Sequence, residues 1–330
     1  MLMLLLKRQR RLRSNKWSIN LFRENNISAS DFILPIFLTD GKNQKQEIKS
    51  MPNVYRYSPD NLKQLIDNAI KNGIQAIILF PQTPQDKKDV VGSEALNENN
   101  LINKSIREIK KGYNKEIGII TDVALDPYTT HGHDGILKDN SIQNDETVEK
   151  LVQQSLLQVT SGADVIAPSD MMDGRIFSIR NALEKNNFKN TLILSYAAKY
   201  ASGFYGPFRD GVGSTQKEGI DKSSYQLDSA NSDDALRQIE GDLKDGADMI
   251  MIKPGLTYLD IISQTKDKYN VPIVAYNVSG EYSMIKNGIK NNIFNENILK
   301  EIMISFKRAG ASAIVSYFAI EYIEKFLNQK

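Results

Sequence analysis

Eight short runs of aliphatic and β-branched residues recur along the chain, alternating with amphipathic stretches, and this alternation confines the fold to those built from βα units. The runs are Phe32–Phe37, Ala76–Phe80, Ile117–Val123, Val165–Ala167, Leu192–Tyr196, Met249–Ile252, Ile273–Tyr276 and Ala313–Tyr317. They are apolar throughout rather than alternating, as expected of parallel strands covered on both faces. Between them, Pro59–Lys71, Glu146–Thr160, Asp233–Lys244, Leu259–Tyr269 and Asn297–Arg308 place apolar residues three and four apart, the spacing of helices with one core-facing side. Three echoes, Ser161-Gly-Ala-Asp164, Asp245-Gly-Ala-Asp248 and Ala309-Gly-Ala-Ser312, each close a helical pattern and open a strand. Glycine there suits a left-handed helix end. Eight such units fit an α/β fold of the (β/α)8 TIM-barrel type, and a doubly wound open sheet is the alternative that the pattern leaves open.

At 330 residues the chain is long enough for one large barrel, and no proline- or serine-rich linker divides it. We expect one catalytic domain over residues 31–330 and an N-terminal arm over residues 1–30. In the arm Lys7, Arg8, Arg10, Arg11, Arg13 and Lys16 precede the first acidic residue, Glu24. A cleavable presequence is one reading of that asymmetry. The other is an arm that docks on a partner subunit, because an exposed segment of mixed apolar and basic residues rarely orders alone. The run Met1–Leu6 is shorter than a signal core of about 7–15 residues, and no later run nears the ~20 needed to span a bilayer. A soluble, cytoplasmic protein is expected. With 42 basic against 40 acidic residues, nothing points to nucleic acid, and a small substrate fits better. The absence of cysteine removes disulfides, thiolate nucleophiles and thiolate zinc sites together.

In a barrel of this kind the active site is built where the strands end, at their C-terminal side. Asp122, Ser169, Lys199, Lys253, Ser279 and Tyr317 all fall there. A single lysine in such a place is ordinarily one whose head group snorkels to water. Two at equivalent strand ends call for another explanation. Burial and a nearby second cation both favour the neutral amine, the form that attacks a ketone. One such lysine suits a class I Schiff-base aldolase. Two suit an enzyme that holds two carbonyl substrates covalently, or one in which one lysine tunes the other. After the fifth run, residues 203–232 carry five glycines among Arg209, Lys217 and Lys222 and fit neither helix nor strand. So long a loop on the active-site face reads as a lid.

At these residues the chain resembles the 5-aminolevulinate dehydratase (porphobilinogen synthase) family, of a cysteine-free, non-zinc type, from about Arg10 to the C-terminus. The resemblance is carried by Ser195-Tyr-Ala-Ala-Lys-Tyr-Ala-Ser-Gly-Phe-Tyr-Gly-Pro-Phe-Arg-Asp210 and Met249-Ile-Met-Ile-Lys-Pro254, with Arg10-Arg-Leu-Arg13, Pro168-Ser-Asp-Met-Met-Asp-Gly-Arg175, Tyr276-Asn-Val-Ser-Gly-Glu-Tyr282 and Ser316-Tyr-Phe318. It implies a barrel, an arm that embraces a neighbouring subunit, and a homo-oligomer, commonly an octamer built from dimers. It also implies Schiff bases at Lys199 and Lys253 with two molecules of 5-aminolevulinate, which condense to porphobilinogen with loss of two waters, an early step of tetrapyrrole and haem biosynthesis. By the same resemblance Arg209 and Lys222 meet the carboxylate of one substrate and Ser279 and Tyr317 that of the other, while Asp122 and Ser169 contact the amino group. The family often has arginine where this chain has Lys222.

No organic cofactor is implied, and the metal segment departs from the zinc-dependent pattern. Where those members carry three cysteines this chain has Ala124, Asp126 and Asp134. The two aspartates are candidate ligands for magnesium, a hard ion that prefers oxygen. His131 and His133 stand beside them, either as part of such a site or as hydrogen-bonding groups near the substrates. The position of a second, allosteric magnesium falls on Gln238, whose neutral amide is a poor substitute for a carboxylate. Weak magnesium dependence, or none, is the expectation. The rival readings are a TIM-barrel class I aldolase acting on a sugar phosphate, for which no glycine-rich phosphate cradle follows a late strand, and a barrel kept only for assembly, which would have lost its lysines.

Overall fold

The computed structural model describes residues 6–214 and 221–328. Met1–Leu5 of the leading apolar run, and Lys217 and Gly219 of the lid segment, lie outside the described residues. Eight parallel strands form the centre: β1 (Phe32–Leu38), β2 (Ala76–Pro81), β3 (Gly118–Val123), β4 (Val165–Pro168), β5 (Leu192–Lys199), β6 (Met249–Lys253), β7 (Ile273–Asn277) and β8 (Ala313–Ser316). Each pairs with its neighbour in sequence. The sheet closes on itself where Phe32 and Ile33 of β1 pair with Ile314 and Val315 of β8. The fold is a TIM barrel, and the open-sheet alternative is excluded by that closing pair.

The strands are buried nearly end to end, as continuous apolar runs require when helices cover the outside. The helices expected at 59–71, 146–160, 233–244, 259–269 and 297–308 are observed as Lys63–Lys71, Asn144–Ser161, Asp233–Lys244, Leu259–Lys268 and Ile298–Ala309. Gly162, Gly246 and Gly310 end or follow three of them with φ of 113°, 101° and 116°, a conformation that side chains bearing Cβ rarely adopt.

Two segments differ from the sequence reading. Strand β5 continues past Tyr196 to Lys199, because its pairing with β6 skips a residue: Ser195 faces Ile250 and Ala198 faces Ile252, three steps against two. This is a β-bulge, and it turns the strand by half a pleat. Secondly, the start of the segment expected to be irregular is helical over Gly203–Tyr205 and Gly206–Val212. The Ser202 hydroxyl caps the first turn by accepting from Phe204 N, Pro207 occupies the opening turn of the second, and Gly213 stops it at a φ of 63°.

The arm behaves unlike the barrel. Over residues 6–30 only Ser18 is buried, and Leu12, Trp17, Ile19, Leu21 and Phe22 are exposed.

Candidate active site

The two lysines end adjacent strands and are register partners, Lys199 on β5 and Lys253 on β6. Both are almost wholly buried, with 6% and 5% of their surface exposed. Their surroundings differ. The Lys253 ammonium nitrogen lies 4.8 Å from the ring centres of Phe208 and Tyr276, 5.1 Å from that of Tyr205 and 5.2 Å from that of Tyr196. It has no ion pair among the described residues. Ring faces attract a cation by roughly 0.5–2 kcal/mol. Removing the charge from water costs several kcal/mol, which is the larger effect. Burial first, and the positive charge of Lys199 second, push the Lys253 amine down to about 7.

Lys199 sits among anions. Its Nζ donates to Asp134 Oδ2 at 2.9 Å and to the carbonyl oxygen of Ser169. Burial alone would lower its pKa, but Asp134 and Asp126 outweigh burial and move it up. Asp134 is shared: its Oδ1 accepts from Lys222 Nζ at 2.8 Å, and its Oδ2 also accepts from Gln226 Nε2 at 3.3 Å. Although burial raises a carboxyl, the two lysines hold Asp134 well below the usual carboxylate range. Asp122 and Asp126 are paired with no lysine in this way among the described residues, although the Ser169 hydroxyl lowers Asp122 a little. Burial, and then the charge of Asp126, raise Asp122 to about 7, and burial and Asp134 raise Asp126.

The barrel thus gathers Asp122, Asp126, Asp134, Ser169, Lys199, Lys222 and Lys253 at one mouth. Tyr317 joins from the end of β8, stacked on Phe37 at 5.8 Å with its hydroxyl 3.0 Å from that of Tyr276. Ser279 opens the helix Ser279–Lys290, where its Oγ accepts from Phe208 N at 2.9 Å and donates to the Phe204 carbonyl at 3.3 Å. It therefore ties the segment bearing the cage aromatics to the barrel. The neighbouring Gly280 is packed so closely that a Cβ there would stand 2.5 Å from that same carbonyl oxygen. Arg209, half-buried on the helix Gly206–Val212, makes no ion pair among the described residues, which leaves its planar donors for an incoming carboxylate. Lys222 reaches the site already paired with Asp134, one of its three donors being engaged there.

The aspartates at the metal positions do not fit a divalent ion. Ala124 offers no donor, both oxygens of Asp134 are occupied by amines and an amide, and among the described residues no three His, Asp or Glu side chains are grouped to hold one. The histidines serve in hydrogen bonding, His131 Nε2 to the Val90 carbonyl and His133 Nδ1 to the Tyr225 hydroxyl, both at 3.1 Å. Gln238 lies on the helix layer outside this mouth, where its Nε2 donates to Asp242 Oδ1 at 2.8 Å. Asp242 in turn pairs with the fully buried Arg175 and accepts from Ser195 Oγ.

Sequence reasoning missed the aromatic cage and Gln226. Tyr196 and Tyr276 were legible only as core residues of their strands. Tyr205 and Phe208 fell in a segment read as loop, and the run Gly-Phe-Tyr-Gly-Pro-Phe was their only signal.

The family model for delta-aminolevulinic acid dehydratase matches residues 6–325. A delta-aminolevulinic acid dehydratase of Bradyrhizobium diazoefficiens is 48% identical over 323 residues, covering 98% of this chain and 91% of the relative. One from Bacillus subtilis is 45% identical over 313 residues, covering 94% and 95%. The crystal structure of delta-aminolevulinic acid dehydratase (porphobilinogen synthase) from Toxoplasma gondii, in complex with the reaction product porphobilinogen, matches with a TM-score of 0.96 at 40% identity over 99% of this chain and 93% of that one. With two buried, differently tuned lysines at one barrel mouth and a family match over nearly its whole length, the chain belongs to the delta-aminolevulinic acid dehydratase family.

Proposed function

We propose that this chain condenses two molecules of 5-aminolevulinate to porphobilinogen, with Lys253 and Lys199 each forming a Schiff base to one substrate. The observation that carries this reading is the register pairing of the two lysines, one kept close to neutrality and the other kept charged. The Lys253 amine attacks the ketone of the first substrate, and the carbinolamine loses water to give the imine. Lys199 becomes a nucleophile once its proton leaves toward the anions beside it. Carbon–carbon and carbon–nitrogen bond formation then close the pyrrole, and two waters are lost in all.

Asp122 and Ser169 face the bound substrate's amino group, for which an anion and a hydroxyl are suited. Arg209 and Lys222 take one carboxylate, and Tyr317 with Ser279 the other. The aldolase alternative leaves one lysine and its whole anionic neighbourhood without a task. No step requires a metal, and with Gln238 donating an amide proton where a magnesium ligand would be an anionic oxygen, we expect little dependence on magnesium.

The exposed apolar side chains of the arm support burial against another subunit, hence a homo-oligomer, with the octamer as the expected form. Among the described residues no helix is long and apolar enough to cross a membrane, and we place the enzyme in the cytoplasm. The test is porphobilinogen formation from 5-aminolevulinate by the purified protein, read by its colour with an aldehyde reagent, with and without chelator. Pyrrole in both is expected. No pyrrole, even with added magnesium, would overturn the reading.

A further inference from the structure

Four aromatic rings surround Lys253, and three of them carry hydroxyls. Two of these hydroxyls are engaged: Tyr205 donates to the carbonyls of Tyr200 and Lys253 at 2.7 and 3.1 Å, and Tyr276 is paired with Tyr317. The third, on Tyr196, is completely buried and has no hydrogen-bond partner of normal geometry among the described residues. Buried hydroxyls are nearly always satisfied, so an orphan inside a reactive site calls for an explanation.

Its placement is the work of the bulge in β5. Residues 196 and 199 are an odd number apart, so a regular strand would send their side chains to opposite faces. The extra residue between Ser195 and Ala198 turns both inward, while Ser195 points out to Asp242 in the helix layer. The Tyr196 ring thus stands 5.2 Å from the Lys253 nitrogen, with its hydroxyl close to Asp122. Burial, reinforced by the charge of Asp122, raises its pKa well above the ordinary phenol range. The phenol keeps its proton and acts as a fixed donor.

We propose that Tyr196 is a catalytic residue that donates a hydrogen bond to the ketone oxygen as Lys253 attacks, and then to the carbinolamine hydroxyl formed from it. In the addition, the nitrogen lone pair forms the C–N bond and the C=O π pair moves onto oxygen, which takes up the proton shed by the amine. In the dehydration, the nitrogen lone pair forms C=N as the C–O bond breaks. The leaving hydroxyl departs as water with a proton from the Asp122 carboxyl, which enters this step protonated and leaves it as the carboxylate that then faces the iminium and the substrate's amino group. Tyr196 loses no proton in either step.

The inference rests on the reading of Lys253 as an imine-forming amine, and the test separates the two. The full-length enzyme and its Tyr196→Phe variant are mixed with 4-oxopentanoate, which has the ketone and carboxylate of the substrate but no amine and therefore stops at the imine. Borohydride then fixes the adduct, and labelled Lys253 is counted by mass spectrometry. At saturating ketone the variant should label about 10- to 100-fold more slowly, with half-saturation changed less than about threefold. Its melting temperature should be unchanged or higher, because the substitution deletes only an unsatisfied oxygen. Labelling within about twofold of the wild type, a loss confined to half-saturation, or a lowered melting temperature that accounts for the loss would overturn the role of Tyr196 and leave the Schiff-base reading standing. Failure of the wild type itself to label at Lys253 would overturn both.

Discussion

Lys253 and Lys199 are the same residue at the same level of adjacent strands, yet one lies in an aromatic cage and the other in a ring of carboxylates. The difference teaches that strand position brings a lysine into the barrel mouth, while its neighbours decide the charge it carries there. Aromatic walls exclude water and offer no counter-ion, so the Lys253 amine titrates near neutrality. Asp134 gives Lys199 a counter-ion, and that amine stays charged until something removes its proton.

The widest break in this comparison comes from removing each lysine. Lys253→Ala should abolish both pyrrole formation and ketone trapping, by more than about 10³-fold. Lys199→Ala should abolish pyrrole formation as completely while sparing imine trapping at Lys253, measured by borohydride labelling. Equal loss of trapping in both variants would dissolve the asymmetry.

Asp134→Asn tests the anionic half. Without its counter-ion the Lys199 pKa falls, so its amine should become labelled by ketone and borohydride near pH 8, where the wild type labels only Lys253. Pyrrole formation should fall about 10- to 100-fold as Lys199 and Lys222 lose their shared anchor. Continued silence of Lys199 would mean that access, not charge, keeps it unreactive.

A smaller effect concerns pH. In the wild type, trapping at Lys253 should rise as pH passes about 7, since the neutral amine is the nucleophile, and then level off. Lys199→Ala removes a neighbouring positive charge, which raises the Lys253 pKa and moves that rise upward by about one pH unit. A downward shift would contradict the sign. The smallest expected effect is that of chelator, within about twofold on the steady-state rate, because no magnesium ligand set is assembled around Asp134 or Gln238. A tenfold loss restored by magnesium would return a metal to the site.

The barrel was legible because its strands are buried on both faces, which writes Ile77-Ile78-Leu79 or Ile250-Met251-Ile252 as unbroken apolar runs. The charged part of the site was legible for the opposite reason: a lysine at the end of such a run, or a carboxylate in Thr121-Asp122-Val123, contradicts its surroundings. The aromatic cage contradicts nothing. Tyr196 and Tyr276 satisfy the pattern of a core strand, and only three-dimensional proximity separates a packing ring from one that faces an amine. The pairing of Lys222 with Asp134 spans 88 residues and joins a short helical turn, Lys222–Ser224, to a loop, where no periodicity connects them.

The bulge in β5 also makes the active site a matter of counting. Were every residue between Ser195 and Ala198 to pair in turn with β6, the composition of the strand would be untouched and its pleat even, yet inside and outside would be exchanged for every side chain beyond. The reactive amine would then be delivered to the helix layer, beside Arg175, instead of to the substrate. Chemistry at this mouth is therefore more exposed to a slip of register than to many changes of side chain, and the unpaired residue between Ser195 and Ala198 carries as much of the enzyme as the residues around it.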